Sequence, residues 1–288
     1  MRSTLISLAL VMLVLAAFAA REARTSGSPS SARPTAGLPP ADSTAMQRLN
    51  TTTRHGEFVA VDVPGESTKL RTWISYPERK DKAGVVVVIH EVFGLSDWIR
   101  GVADQLAADG YIAVVPDLLS GMGPGGGGTE SVSSRDSVVQ MVFHLSPDET
   151  RKRLDATRDW AVKLPASNGR YATMGFCWGG GVSFRYAAST PAPKAAIVFY
   201  GVSPDSATIA HITAPVLGLY GGADARVGAT ITPAAAQMAA LRKDYEVHSF
   251  ANAGHGFLRQ QSGQDGANLK ATEEAWPLAI GFLRRNLK

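Results

Sequence analysis

The chain has 288 residues, 45% of them apolar and 19% charged, enough to bury a sizeable core in one large α/β domain or two small ones. Its formal net charge of +4 comes from scattered residues without a basic run, so nucleic-acid binding gains no support beyond a weak overall bias. A single cysteine, Cys177, excludes an intramolecular disulfide.

In chain order, Arg2 precedes an apolar run over residues 5–20 broken only by Ser7, and Ala17-Phe18-Ala19 has the small-x-small form of a cleavage site. This predicts a signal peptide over 1–20 and export to a periplasm or the medium. The alternative is an uncleaved membrane anchor; no cysteine ends the run, so a lipoprotein anchor is not available there. Residues 21–55 are rich in Ser, Ala, Pro, Thr and Gly and predict a flexible tether. The folded domain is expected over 56–288.

Within it, residues 58–63 and 70–76 alternate in polarity as an antiparallel pair would, and 84–89 is a continuous β-branched run, the mark of a strand covered on both faces. The pattern then predicts a helix over 97–108 closed by Gly110 and a strand over 112–115. Residues 121–128 read as a mobile glycine-rich lip; they lack the Lys-Ser/Thr of a phosphate loop. Beyond it come a helix within 147–164, strands over 195–200 and 216–220, a helix over 233–241, a strand over 245–250 and a closing helix over 271–287. Such alternation argues for an α/β fold, a mostly parallel sheet with helices on both faces and antiparallel strands at its start.

The stretch Tyr171-Ala172-Thr173-Met174-Gly175-Phe176-Cys177-Trp178-Gly179 joins a β-type run to a segment of helical length through Gly-x-Cys-x-Gly. That is the context of a nucleophile elbow, with cysteine where serine usually stands. Glycines let strand and helix approach closely, the thiol is pushed out of the turn, and the Trp178 N–H points at the place of a developing oxyanion. The plainer reading is a glycine-rich turn around a buried cysteine.

A nucleophilic thiol needs a base, and the base an acid to hold its tautomer. Asp224 follows the strand at 216–220 on a glycine-rich turn, and His255 follows the strand at 245–250 between two glycines. Their order after Cys177 is nucleophile, acid, base, each at the carboxyl edge of a strand. Asp224 could instead merely cap the next segment. Of the other five histidines, His248 lies within a strand and His211 in a connection, so neither shares the loop position of His255. His90-Glu91-Val92 follows the first buried strand, where the second oxyanion amide, that of Val92, is expected. Glu91 beside the elbow could keep the thiol protonated or repel anionic nucleophiles, or it could be a solvated loop residue. Gly94 stands where a zinc motif would place its second histidine.

Together with Val115-Pro116-Asp117-Leu118 and Gly254-His255-Gly256-Phe257, these motifs resemble the dienelactone hydrolase family from about residue 56 to the C-terminus. The resemblance implies an α/β-hydrolase fold that opens a lactone or ester with a Cys-Asp-His triad: Cys177 the nucleophile, His255 the base, Asp224 its orienter. Glu91 would be a switch in contact with the resting thiol. Two arginines of the family hold a substrate carboxylate, and Arg259 and Arg135 match their places. The family's pocket aromatics have no counterpart in residues 138–142, and the glycine-rich insert and export segment are further departures. The expectation is therefore an exported monomeric ester or lactone hydrolase working through a thioester. It needs no metal or organic cofactor, and neither nucleic acid nor, once the signal is removed, membrane as partner. The alternatives are a hydrolase of the same fold acting on cell-envelope acyl groups, an inactive relative that binds a ligand or partner, and a thiol sensor.

Overall fold

The structure, a computed structural model, describes residues 37–287; the expected signal peptide and residues 21–36 lie outside the described residues. Eight strands in the described chain, β1 (Gly56–Val61), β2 (Leu70–Ser75), β3 (Ala83–Ile89), β4 (Ile112–Pro116), β5 (Ser167–Phe176), β6 (Ala196–Phe199), β7 (Val216–Gly221) and β8 (Tyr245–Phe250), form one sheet. Their order is β1-β2-β4-β3-β5-β6-β7-β8. The pairs β1·β2 and β2·β4 are antiparallel and the rest parallel, as the change from alternating to continuous apolar runs requires.

Every residue of β3 is buried. Because strand side chains alternate, Val86 and Val88 enter the core on one face while Val85, Val87 and Ile89 enter the core on the other. Each such side chain taken from water contributes about 1.5–3 kcal/mol. The first face is covered by helices α2 (Asp97–Ala108) and α8 (Ala267–Asn286). The second carries α3 (Arg135–His144), α4 (Pro147–Ala161), α5 (Trp178–Tyr186) and α7 (Ala225–Ala240). Among the described residues no helix is long and apolar enough to cross a membrane.

From β3 the chain winds outward to β4, and from β5 it winds the opposite way through β6, β7 and β8. The carboxyl ends of β3 and β5 therefore flank the point where strand order reverses, and a crevice opens there. Glu91 follows β3 and Cys177 follows β5 directly, while Asp224 and His255 follow β7 and β8.

The expected tether is corrected in its described part. Helix α1 (Ala45–Thr51) packs on α2, where the buried Asp104 carboxylate receives Arg48 Nε at 2.6 Å, Arg54 at 2.9 Å and Thr52 Oγ1 at 2.6 Å. These partners lie 50 to 56 residues away in sequence, so composition alone does not reveal them. The glycine-rich insert is likewise anchored: buried Asp117 accepts the Thr129 N–H and hydroxyl, both at 2.7 Å, around two short 3-10 turns. Helix α7 starts eight residues before residue 233 and runs through Pro233, because Asp224 caps it by accepting the Val227 N–H. Helix α3 and the short α6 (Ser206–His211) carry weak apolar patterns and were not expected.

Candidate active site

Cys177 sits between β5 and α5 with φ 55° and ψ −116°, a conformation that side chains rarely adopt and that costs on the order of 1–3 kcal/mol. The turn holds it there. A side chain at Gly175 would collide with the Gly179 carbonyl, and one at Gly179 with the carbonyls of Ile89 and His90. The sulfur so presented lies 3.0 Å from His255 Nε2, and His255 Nδ1 lies 2.6 Å from Asp224 Oδ2. A carboxylate only accepts, so Nδ1 carries the proton and Nε2 is free to take one from the thiol. Tyr200, with φ 42°, packs edge-on against the His255 ring at 5.3 Å and limits its tilt.

Asp224 makes both contacts that its position suggests. While Oδ2 faces the imidazole, Oδ1 accepts the Val227 N–H at 3.2 Å.

Burial pushes the Cys177 thiol up to about 11, the negative charge of Glu91 adds to this, and the Trp178 N–H opposes it. The thiol is therefore neutral at rest near pH 7. Glu91 is itself pushed up to about 7 by burial, against the pull of Arg259. Arg259 Nε approaches Glu91 Oε2 to 2.7 Å, yet both atoms lack a directed hydrogen bond, so the pair is held by charge rather than by an aligned N–H. The Tyr200 hydroxyl lies near both Glu91 and Cys177. The sulfur's hydrogen-bond partner is His255, Glu91 is engaged by Arg259, and the charge of Glu91 acts on the sulfur.

His90, passed over in the sequence except as half a zinc motif, is wholly buried and stacks on the Trp178 ring at 5.8 Å. Its Nε2 accepts the Leu118 N–H at 3.3 Å, which leaves Nδ1 protonated to donate to the Glu91 carbonyl at 2.7 Å. The Gly94 N–H donates to the same carbonyl at 3.2 Å. In a trans peptide the next N–H points the opposite way, so this grip aims the Val92 N–H outward. Neither that N–H nor Trp178's has a backbone or side-chain oxygen acceptor among the described residues.

Arg135, exposed at the start of α3, lies over the Phe93 ring at 3.8 Å, and Arg259 lies over the same ring at 4.8 Å. Beside them opens a cavity of about 480 Å³ whose walls include Asp42, Met46, Phe93, Trp98 and Val138. The larger part of the site is thus built from residues that sequence spacing singles out, while Asp42, His90 and Tyr200 enter through the fold.

The sequence profile of the dienelactone hydrolase family matches residues 70–287. The chain belongs to the dienelactone hydrolase family. A Yersinia pestis protein named "Putative carboxymethylenebutenolidase" is 30% identical over 224 residues, 71% of this chain and 82% of its own length. One of the same name from Saccharolobus solfataricus is 28% identical over 257 residues, 76% of this chain and 95% of its own. The structure of dienelactone hydrolase from Anabaena variabilis superposes with a TM-score of 0.62 at 22% identity, covering 82% of this chain and all of its own. A dienelactone hydrolase-like promiscuous phosphotriesterase from metagenomic libraries gives 0.69 at 21%, with the same coverage. These two bear on the fold, which is that of an α/β hydrolase. The described N-terminal segment, residues 37–69, lies outside the family match.

Proposed function

We propose that the protein hydrolyses a carboxylic ester or lactone through a thioester formed on Cys177. The observation that carries this reading is the file of heavy atoms Sγ–Nε2 at 3.0 Å and Nδ1–Oδ2 at 2.6 Å above the strand-order reversal. His255 Nε2 takes the thiol proton as the sulfur forms its bond to the carbonyl carbon, and the Val92 and Trp178 N–H groups hold the resulting oxyanion. The carbon–oxygen bond to the leaving group then breaks, and the same Nε2–H protonates the departing alkoxide. Water, losing its proton to Nε2, attacks the thioester and releases the acid with the thiol restored.

A thiol held near 11 is a poor resting nucleophile, so deprotonation is coupled to substrate arrival, and Glu91 keeps the sulfur unreactive until then. The same protection disfavours redox sensing, which needs thiolate character. Relatives named as carboxymethylenebutenolidases point the search toward lactones. Arg135 and Arg259 are proposed to touch substrate beside Phe93, and residues 1–20 to direct export. The test is 4-nitrophenyl acetate with the native protein and with Cys177→Ala. A burst followed by turnover, abolished by iodoacetamide and absent in the variant, supports the reading; equal turnover by both overturns it.

A further inference from the structure

The N-terminal segment outside the family match reaches the candidate site and adds a charge to it. Asp42 opens a 3-10 turn (Asp42–Thr44); its N–H donates to the Arg259 carbonyl at 2.9 Å, and its Oδ2 lies 3.3 Å from Arg259 Nη1. The main-chain bond fixes where the carboxylate falls. The residues just before it are also tied down: the Pro39 carbonyl accepts Gln261 Nε2–H at 2.9 Å and the Pro40 carbonyl accepts Trp98 Nε1–H at 3.0 Å. Arg259 therefore meets two carboxylates, Glu91 at Nε and Asp42 at Nη1.

We propose that Asp42 makes the cavity beside Phe93 a subsite for an uncharged, apolar part of the substrate and turns it against a carboxylate. A substrate carboxylate seeking Arg259 would have to lie beside the buried Glu91 and the exposed Asp42, and like charges a few ångströms apart repel. The remaining charges do not reverse the balance. Asp97 on the cavity wall is paired with Arg100, and Asp42 and Arg135 are both exposed, so solvent screens both and Asp42 acts chiefly through its direct contact with Arg259. Met46, Phe93, Trp98, Val132 and Val138 make the rest of the wall largely apolar. In consequence, the two arginines serve as a flat cationic frame around Phe93 rather than as a carboxylate clamp. The kinetic arm of the test below rests on the esterase reading; the binding arm does not.

The comparison is between mono(4-nitrophenyl) glutarate, anionic at neutral pH, and its methyl ester, with the native protein, Asp42→Asn and Asp42→Glu. Asp42→Asn keeps the main-chain bond and the size of the side chain while removing its charge. The ratio of kcat/KM for the anionic over the neutral ester is expected to rise at least about threefold in Asp42→Asn, to shrink back toward the native value at high salt, and to be restored by Asp42→Glu. NMR titration with pentanoate, an anion with no ester bond to cleave, is expected to show tighter binding of this anion to Asp42→Asn by a similar factor. A ratio and an affinity unchanged by the substitution overturn the proposal while ester hydrolysis stands. Failure of the native protein on both esters overturns the esterase reading instead, and the titration then decides the role of Asp42 alone.

Discussion

Asp224 and His255 are joined by one oxygen of the carboxylate, Oδ2, 2.6 Å from Nδ1, while the other caps α7 through the Val227 N–H. Two functions on two atoms of one side chain separate under substitution. Asp224→Asn retains a cap acceptor but turns an amide N–H toward the ring, which forces the proton to Nε2 and leaves nothing to accept from the thiol. Its kcat/KM is expected to fall by about two to four orders of magnitude with little change in Tm. Asp224→Ala is expected to lose as much activity and, in addition, about 0.5–2 kcal/mol of stability from the missing cap. Thermal melts beside ester kinetics read both. Equal stability loss in the two variants would contradict the division.

Glu91 links stability to pH with a definite sign. Its folded-state carboxyl is pushed up to about 7 from an ordinary value of 4.5, so the protonated form is the one the fold favours. Its contribution to stability is fully present below about pH 4.5 and lost as pH rises through about 7. Glu91→Gln removes this dependence, and its stability relative to the native protein is expected to grow across that window by an amount on the order of 3 kcal/mol. The same change removes a negative charge near Cys177, so the midpoint for thiol alkylation by iodoacetamide moves down. Denaturant titrations between pH 4 and 8 and alkylation rates from about pH 8 to about pH 12, which brackets the native midpoint near 11, check the two effects.

His90 is expected to act on the proposed reaction through the peptide it grips. His90→Phe keeps a ring against Trp178 but loses both the donor to the Glu91 carbonyl and the acceptor for the Leu118 N–H. Leaving the buried Leu118 N–H without a partner, and the Glu91 carbonyl with the Gly94 N–H alone, is expected to cost about 1–3 kcal/mol. As a positioning effect, kcat falls about tenfold to a hundredfold with KM little changed, because the Val92 N–H meets charge that develops only in the transition state. His90→Gln, which offers a donor and an acceptor, recovers part of kcat. A fall confined to KM would contradict this role.

Asp104 tests the corrected boundary of the folded region. Burial raises its carboxyl, but hydrogen bonds from Arg54, Thr52 and Arg48 outweigh that and hold it below the usual range. Asp104→Ala leaves two arginines facing an apolar gap and is expected to lose about 2–4 kcal/mol, with faster proteolytic cleavage within residues 37–55. An unchanged cleavage rate would mean that the segment is held by other contacts.

Legibility in the sequence followed the range of the interactions. The β-branched run of β3, the Gly-x-Cys-x-Gly turn and the loop positions of Asp224 and His255 are local signals, and each marks its element unaided. The packed N-terminal segment was not legible, because Asp104 and Gln261, which hold it, are 50 to 222 residues distant. Helix α3 was missed because only Val138 and Val142 of its ten residues are buried. The state of Glu91 was half legible. Its place beside the elbow follows from the order of strands, but its pairing with Arg259 rather than with the thiol depends on side-chain geometry that spacing does not encode.

Whether Cys177 carries the acyl group is decided by rapid quench of the native protein with an activated ester or strained lactone, followed by peptide mass spectrometry. An acyl mass increment is expected on the peptide containing Cys177, accumulating within the burst, decaying at the steady-state rate and absent in Cys177→Ala. Turnover without such an adduct, an adduct on another residue, or hydrolysis undiminished in Cys177→Ala would contradict it.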